Sequence, residues 1–324
     1  IWDQLSWLWS QPMIFAFAIP VLGIAGDILP VSAGVPQRRY RLQQIAIGAL
    51  GVLSFGAFAQ PFFNPDVADQ AVFVVMGLLV IIPIFIVMGG LADTAKQGKP
   101  IISAHLILAV VGVLSLFIAS VLSIFHVSGA ALGAVQELDD DWLNGLISWL
   151  RDVQGTVIAT AVMEHALVAA VIGSVAGLYY WAPKIFGCRL NRKVGILAAL
   201  AFLGGLMLSG GSNAINGILD EGDEVFRSSA YDGVWEPDGV EFLNLLGIVG
   251  SMLLLAGAAL VLLDIVVSVL LNKGDVTDAN DPWGGHTLEW ATDSPPPVGN
   301  FPIPPVVDSE RPLLSQVVMG GDEA

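Results

Sequence analysis

A single cysteine among 324 residues, Cys188, leaves no partner for an internal disulfide framework. Charge is also scarce. Only 13% of the residues are Asp, Glu, Lys or Arg, about half the share in a soluble globular domain. The 13 Lys and Arg are outnumbered by 29 Asp and Glu, so no basic footprint for nucleic acid is present. The sequence offers no nucleotide-binding loop, no zinc-ligand spacing and no Ser-His-Asp candidate. Nowhere do apolar residues alternate with period two along the long runs, which argues against a membrane β-barrel. The chain opens on Ile1 without the basic, apolar and small-residue succession of a signal peptide. Trp2, Trp7 and Trp9 instead resemble an interfacial belt at the start of a helix, so further residues upstream of Ile1 are expected.

What the chain has in abundance is apolar sequence: 55% hydrophobic residues and a mean hydropathy of +0.75. A helix needs about 20 mostly apolar residues to cross hydrocarbon. Segments 11–33, 42–62, 71–94, 101–127, 155–182, 195–217 and 241–271 meet that condition. The expectation is an all-α integral membrane protein with about seven transmembrane helices in a domain spanning 1–275. Pro20, Pro83, Gly204 and Gly205 lie inside these runs, where neighbouring helices can satisfy the freed backbone groups. The glycine-rich stretch 204–211 suggests close helix packing.

Alternate loops are basic: Arg38, Arg39 and Arg41; Lys96 and Lys99; Lys184, Arg189, Arg192 and Lys193; then Lys273. The others carry Asp66 and Asp69, Glu137 with Asp139 to Asp141, and the acids of 220–224. Only Arg151 and Arg227 fall on the acidic side, so 11 of 13 cations share one face. The positive-inside rule puts that face in the cytoplasm, or in the matrix of an organelle. The segment's N-terminus is then outside, and its C-terminal tail inside. Segment 138–151 is too short to span. Its Trp142, Leu146, Trp149 and Leu150 recur at helical spacing, predicting an amphipathic helix on the outer interface. Residues 276–324, with prolines at 295–297, 302, 304 and 305, predict an extended tail over the cytoplasmic face.

The stretch from Asp281 to Leu313, DPWGGHTLEWATDSPPPVGNFPIPPVVDSERPL, resembles the tail of bacterial cytochrome c oxidase subunit I. GLYYWAPKIFGCRLN (177–191) is similar to that family's tenth helix end, and LSWLWSQPMIFAFAIPVLGIAGDILP (5–30) to its sixth helix. The resemblance covers essentially the whole chain, with an insertion near 132–150. It implies the second half of the haem–copper oxidase core, helices six to twelve, in the membrane of a bacterial cell. The family's first five helices have no counterpart here.

That family reduces oxygen at a haem iron and a copper, both of which suit imidazole ligands. Its sixth-helix His-Pro-Glu-Val-Tyr is matched here by Gln11, Pro12, Met13, Ile14 and Phe15. Its His-His pair is matched by Gln60 and Pro61. Aligned on Pro83, its proton-path Thr and Lys fall on Ile84 and Val87. Its tenth-helix His-x-His falls on Ala161 and Met163 or, from a second anchor at Thr156, on Val162 and Glu164. The acidic stretch 219–226 stands where the family's propionate-binding arginines would be. No catalytic residue and no metal ligand is therefore expected in this chain. No resident cofactor is expected either; haem and copper belong to the family or to partner subunits.

His165 is the one speculative haem ligand, forming with Glu164 a polar pair inside a span. Intramembrane ionisable residues invite a functional reading, but an interhelical hydrogen bond explains such a pair too. His105 and His126 lie near helix ends, and His286 belongs to the tail. Asp27 and Asp264, near the cytoplasmic ends of their spans, read either as a proton entry or as paired interfacial acids.

Three functions remain in view. One is a non-catalytic structural or assembly subunit of an aerobic respiratory complex. Another is the C-terminal half of a working terminal oxidase with ligands from other chains or His165. A third is a proton conduit built from the emptied scaffold. The expected partners are other oxidase subunits, with a separate chain as one source of helices one to five, and the lipid bilayer.

Overall fold

The computed structural model describes residues 2–55, 75–132, 141–153, 156–219, 240–271, 274–276 and 281–301, with a few further tail positions; side chains are described from residue 16. Helices dominate it: α1 (Trp2–Ala33), α2 (Tyr40–Leu53), α3 (Ile81–Gln97), α4 (Ala104–Leu132), α5 (Asp141–Val153), α6 (Ile158–Phe186), α7 (Arg192–Ile218) and α8 (Val240–Ile265). Six described helices are long and apolar enough to cross a membrane: 16–33, 75–97, 104–125, 158–186, 192–218 and 240–270. The multi-pass, all-α membrane fold expected from the sequence is thus what the chain adopts. The expected span 42–62 is described only through residue 55. At a rise of about 1.5 Å per residue, the 14 residues of α2 reach about 21 Å, short of the roughly 30 Å hydrocarbon core.

Local sequence explains several boundaries. The helical run from residue 75 is interrupted at Val80, and α3 begins anew at Ile81. Pro83 lies in its first turn, where a missing N–H costs no helical bond. At the N-terminus of α7, the Asn191 side chain accepts from the N–H groups of Lys193 (2.9 Å) and Val194 (3.4 Å). α6 ends at Gly187, whose φ of 70° suits a residue without Cβ, and the Gly187 N–H returns to the Pro183 carbonyl at 3.0 Å.

The core runs between α1, α4 and α6, where Val21, Leu22, Ile28, Leu108, Leu116, Ala169, Ile172 and Ala176 are buried. α7 and α8 form an extensive pair. A Cβ on Gly205 would lie 2.8 Å from the Gly250 carbonyl oxygen, and one on Gly250 would collide with the backbone at Ser209. The two helices therefore touch backbone to backbone, the close packing that small residues permit in a membrane. α8 is peripheral: Phe242, Leu245, Met252, Leu255 and Leu262 are exposed on it, an arrangement that lipid tolerates and water does not.

α5 matches the predicted interfacial segment, shifted by two or three residues. It leans on the protein through Trp149, whose ring meets Phe125 at 6.2 Å, and through buried Val153. Trp142 on the same helix is exposed.

Candidate functional site

The first polar cluster lies within the spans, where α6, α7 and α8 meet. Glu164 on α6 accepts hydrogen bonds from Ser209 Oγ and from Asn213 Nδ2 (2.9 Å), both on α7. Ser209 Oγ also lies 3.3 Å from Ser251 Oγ on α8. One turn further, Asn216 Nδ2 donates to Asn244 Oδ1 at 3.0 Å. A carboxylate within a bilayer needs partners such as these. Sequence reasoning found Glu164 but missed its partners. Their signal is periodic: Ser209, Asn213 and Asn216 recur at i, i+4 and i+7 and line one face of α7.

Glu164 and His165, expected as a pair, have different partners. His165 is fully buried, with Nδ1 2.8 Å from the Ala161 carbonyl oxygen and Nε2 without a hydrogen-bond partner among the described residues. Its ring is pressed against α7 at Gly210, where a Cβ would come within 3 Å of Cε1 and Nδ1. A glycine is therefore required opposite this histidine.

The second cluster ties the tail to the helix ends on the basic-loop face. Asp264 is 4% exposed, yet three donors converge on it: Tyr179 Oη (2.7 Å), the Asn191 N–H (3.0 and 3.2 Å to the two oxygens) and Ser268 Oγ (2.8 Å). One carboxylate thereby joins α6, the α6–α7 connection and α8. Of the two sequence readings of Asp264, the geometry matches the paired acid. Asp27, by contrast, stands exposed on α1.

Cys188 lies beside this cluster, its Sγ 3.7 Å from the Ser268 carbonyl oxygen. Burial, and then the neighbouring Asp264 charge, hold its thiol pKa above the ordinary value. The backbone at Cys188 and Arg189 (β1) pairs antiparallel with Asp275 and Val276 (β2), placing the chain after α8 against the α6–α7 connection.

The tail docks through aromatic residues. Trp283 Nε1 donates to the Tyr180 carbonyl at 2.9 Å, and its ring lies 4.7 Å from His105. Trp290, 2% exposed in a 3₁₀ turn at Leu288–Ala291, packs edge-on against Tyr180 and beneath the Lys184 ammonium, 5.5 Å from its ring centre. Lys184 Nζ donates to the carbonyls of Thr292 and Asp293. His105, at the start of α4, is thus buried among rings, and His286 is buried within the tail. The tail is less extended than its prolines predict because these aromatic anchors hold a turn in place.

Of the described positions matched to family ligands and proton-path residues, all but Glu164, which lies in the polar cluster above, sit in apolar surroundings. Ile84 and Val87 are buried in the main core. Ala161 and Val162 lie in a second cluster with Ala119, Leu122, Val153, Ile158 and Ala166, and Met163 packs against it. The side chains of 11–15, and residues 60, 61 and 220–226, lie outside the described residues. Among the described residues no group of three or more His, Cys, Asp or Glu side chains is placed to hold a metal ion. His165 has one ring nitrogen without a hydrogen-bond partner among the described residues, and its ring is wedged against α7 at Gly210.

The fold and these clusters define a polytopic helical membrane protein built around α6, with a tail sealed over one face. No family model matches the chain. It is similar to cytochrome c oxidase subunit 1 of Alkalihalophilus pseudofirmus, with 25% identity over 323 residues, 99% of this chain and 48% of that protein. Cytochrome c oxidase subunit 1 of Thermostichus vulcanus is 29% identical over 315 residues, 95% of this chain and 51% of that protein. Ubiquinol oxidase subunit 1 of Acetobacter aceti is 29% identical over 313 residues, 94% of this chain and 43% of that protein. The chain spans about half the length of the curated relatives it matches. The chain is thus similar to subunit I of the haem–copper oxidases, and its all-α membrane fold is like the C-terminal half of that subunit.

Proposed function

We propose that this chain is a non-catalytic subunit I-like component of an aerobic respiratory complex in a bacterial cytoplasmic membrane, with a structural or assembly role. Its basic loops and tail face the cytoplasm, and the N-terminus of the segment faces outward. The observation that carries this reading is the filling of the interior. Where the family places haem ligands and proton-path residues, Ala161, Val162, Ile84 and Val87 are at most 1% exposed and packed among apolar neighbours, while Glu164, the remaining match from the second anchor, is taken up by hydrogen bonds to α7. Apolar side chains are what a close-packed interior favours when no cofactor must be held, because an unpaired buried polar group costs several kcal/mol. The tail-docking residues are meanwhile retained, and a docked face is what a scaffold offers to other subunits. Haem and copper analysis of the isolated subunit tests this: neither is expected, and stoichiometric haem held by these helices overturns the reading.

One observation favours a second reading, the C-terminal half of a working terminal oxidase. His165 has Nδ1 bonded to a backbone carbonyl and Nε2 free, as metal-ligating histidines commonly do. In that reading Gly210 and α7 must shift to admit a haem. Visible spectra of the intact complex before and after His165→Ala discriminate: loss of a haem band supports ligation, and identical spectra refute it.

A further inference from the structure

Where α7 begins, beside α8, an open cleft of about 840 Å³ lies on the basic face. Its walls differ in chemistry. One carries Arg189, Arg192 and Lys193; another carries Leu260, Leu263 and Val267 of α8 and its continuation. Leu263 and Val267 are 59% and 41% exposed on the apolar surface of that span. The cleft therefore opens where the hydrocarbon region meets the basic loops.

Among the described side chains, the protein's own carboxylates do not account for the cations here. Arg38 and Arg39, on an earlier basic loop, have Asp93 at 4.0 and 3.5 Å. Arg192 and Lys193 have no carboxylate partner among the described residues. They also occupy the first turn of a 27-residue helix with no acid there, where the helix dipole disfavours positive charge. Arg189 is half-buried, its guanidinium 5.0 Å from the Trp283 ring centre and its buried Nε without a hydrogen-bond partner among the described residues. Asp264, the one carboxylate among the described residues lining the cleft, is already engaged by three donors. The positive-inside rule accounts for cations somewhere on this face. It does not account for three of them converging on an apolar-walled cavity.

We infer that this cleft binds one anionic phospholipid, its phosphate on Arg189, Arg192 and Lys193 and an acyl chain along Leu260, Leu263 and Val267. The cleft is far larger than a bare phosphate needs, and its apolar wall is continuous with the lipid-facing surface of α8. Arginine and lysine supply the charged donors that phosphate oxygens accept, and an acyl chain covers leucine and valine surface.

Native mass spectrometry of the detergent-purified chain, titrated with dioleoylphosphatidylglycerol or dioleoylphosphatidylcholine, tests this. Phosphatidylglycerol is expected to bind the more tightly. The double variant Arg192→Gln/Lys193→Gln is expected to weaken it about thirtyfold, at about fivefold per cation at an anionic membrane surface, while phosphatidylcholine changes less than twofold. Both side chains are exposed, and unchanged helicity by circular dichroism confirms the fold. Leu263→Gln is expected to weaken both lipids. Equal affinity for the two lipids, or an unchanged phosphatidylglycerol affinity in the double variant, overturns the inference. Displacement of phosphatidylglycerol by an equal concentration of inorganic phosphate assigns the cleft to a free anion and overturns it too.

Discussion

Replacing Asp264 with alanine removes one acceptor and strands three donors from three parts of the fold. Tyr179 is 3% exposed, and its Oη has no described partner besides Asp264; the Asn191 N–H likewise points at the carboxylate. Ser268 can turn its hydroxyl toward a helix carbonyl. Two donors are thus left unsatisfied, at about 1–3 kcal/mol each. A loss of about 2–6 kcal/mol in local stability follows, which at tenfold per 1.4 kcal/mol is a rise in local opening of about thirtyfold to about twenty-thousandfold. Cys188 reports on that opening, because it is the sole thiol in the chain and lies buried beside Ser268. The assay is maleimide labelling of the folded protein in detergent at a pH where closure outpaces reaction. Labelling of Asp264→Ala should exceed the parent rate by at least about thirtyfold while helicity is kept. Asp264→Asn, which retains one acceptor oxygen, should fall between the two. A rate for Asp264→Ala within threefold of the parent would refute the view that this carboxylate holds the helix ends together.

The same thiol gives a pH prediction. Its folded pKa is raised, so its stabilising contribution is complete below the ordinary thiol value and lost as pH rises through the folded value. Cys188→Ala should therefore flatten the alkaline limb of a thermal-stability profile; an unchanged limb contradicts the burial argument. Gly250→Val should separate α7 from α8 and lower stability by about 3 kcal/mol or more, as overpacking against backbone has no cheap relaxation; thermal unfolding in detergent checks this. Trp290→Ala should cost about 3–5 kcal/mol of tail docking, read as new protease cleavage between residues 281 and 301 with the membrane helices intact. Glu164→Ala should remove the link from α6 to Ser209 and Asn213 at a cost of about 1–3 kcal/mol. Glu164→Gln should recover most of it, and equal behaviour of the two variants would show that the hydrogen bonds contribute little.

The sequence by itself determined the class of protein, because hydrocarbon imposes a length and polarity rule that can be read residue by residue. Runs such as 101–127 and 195–217 became helices close to their expected limits. The amphipathic spacing of Trp142, Leu146 and Trp149 likewise marked α5, and the tail and helix-end motifs marked the oxidase-like kinship. Tertiary structure decided what each polar residue is for. Asp264 and Tyr179 are 85 residues apart, and Glu164 lies 45 and 49 residues from Ser209 and Asn213. Such pairings follow from how helices cross, not from the period within any one of them. The neighbours Glu164 and His165 looked like one polar pair, but adjacent positions on a helix point about 100° apart, and packing sent them to separate partners. The tail's prolines suggested extended chain, while Trp283 (partly buried) and Trp290 (buried) found sites that only the assembled ends of α4 and α6 create. A single sequence reads its solvent and its periodicity well; contacts between distant segments form only once the helices have been placed.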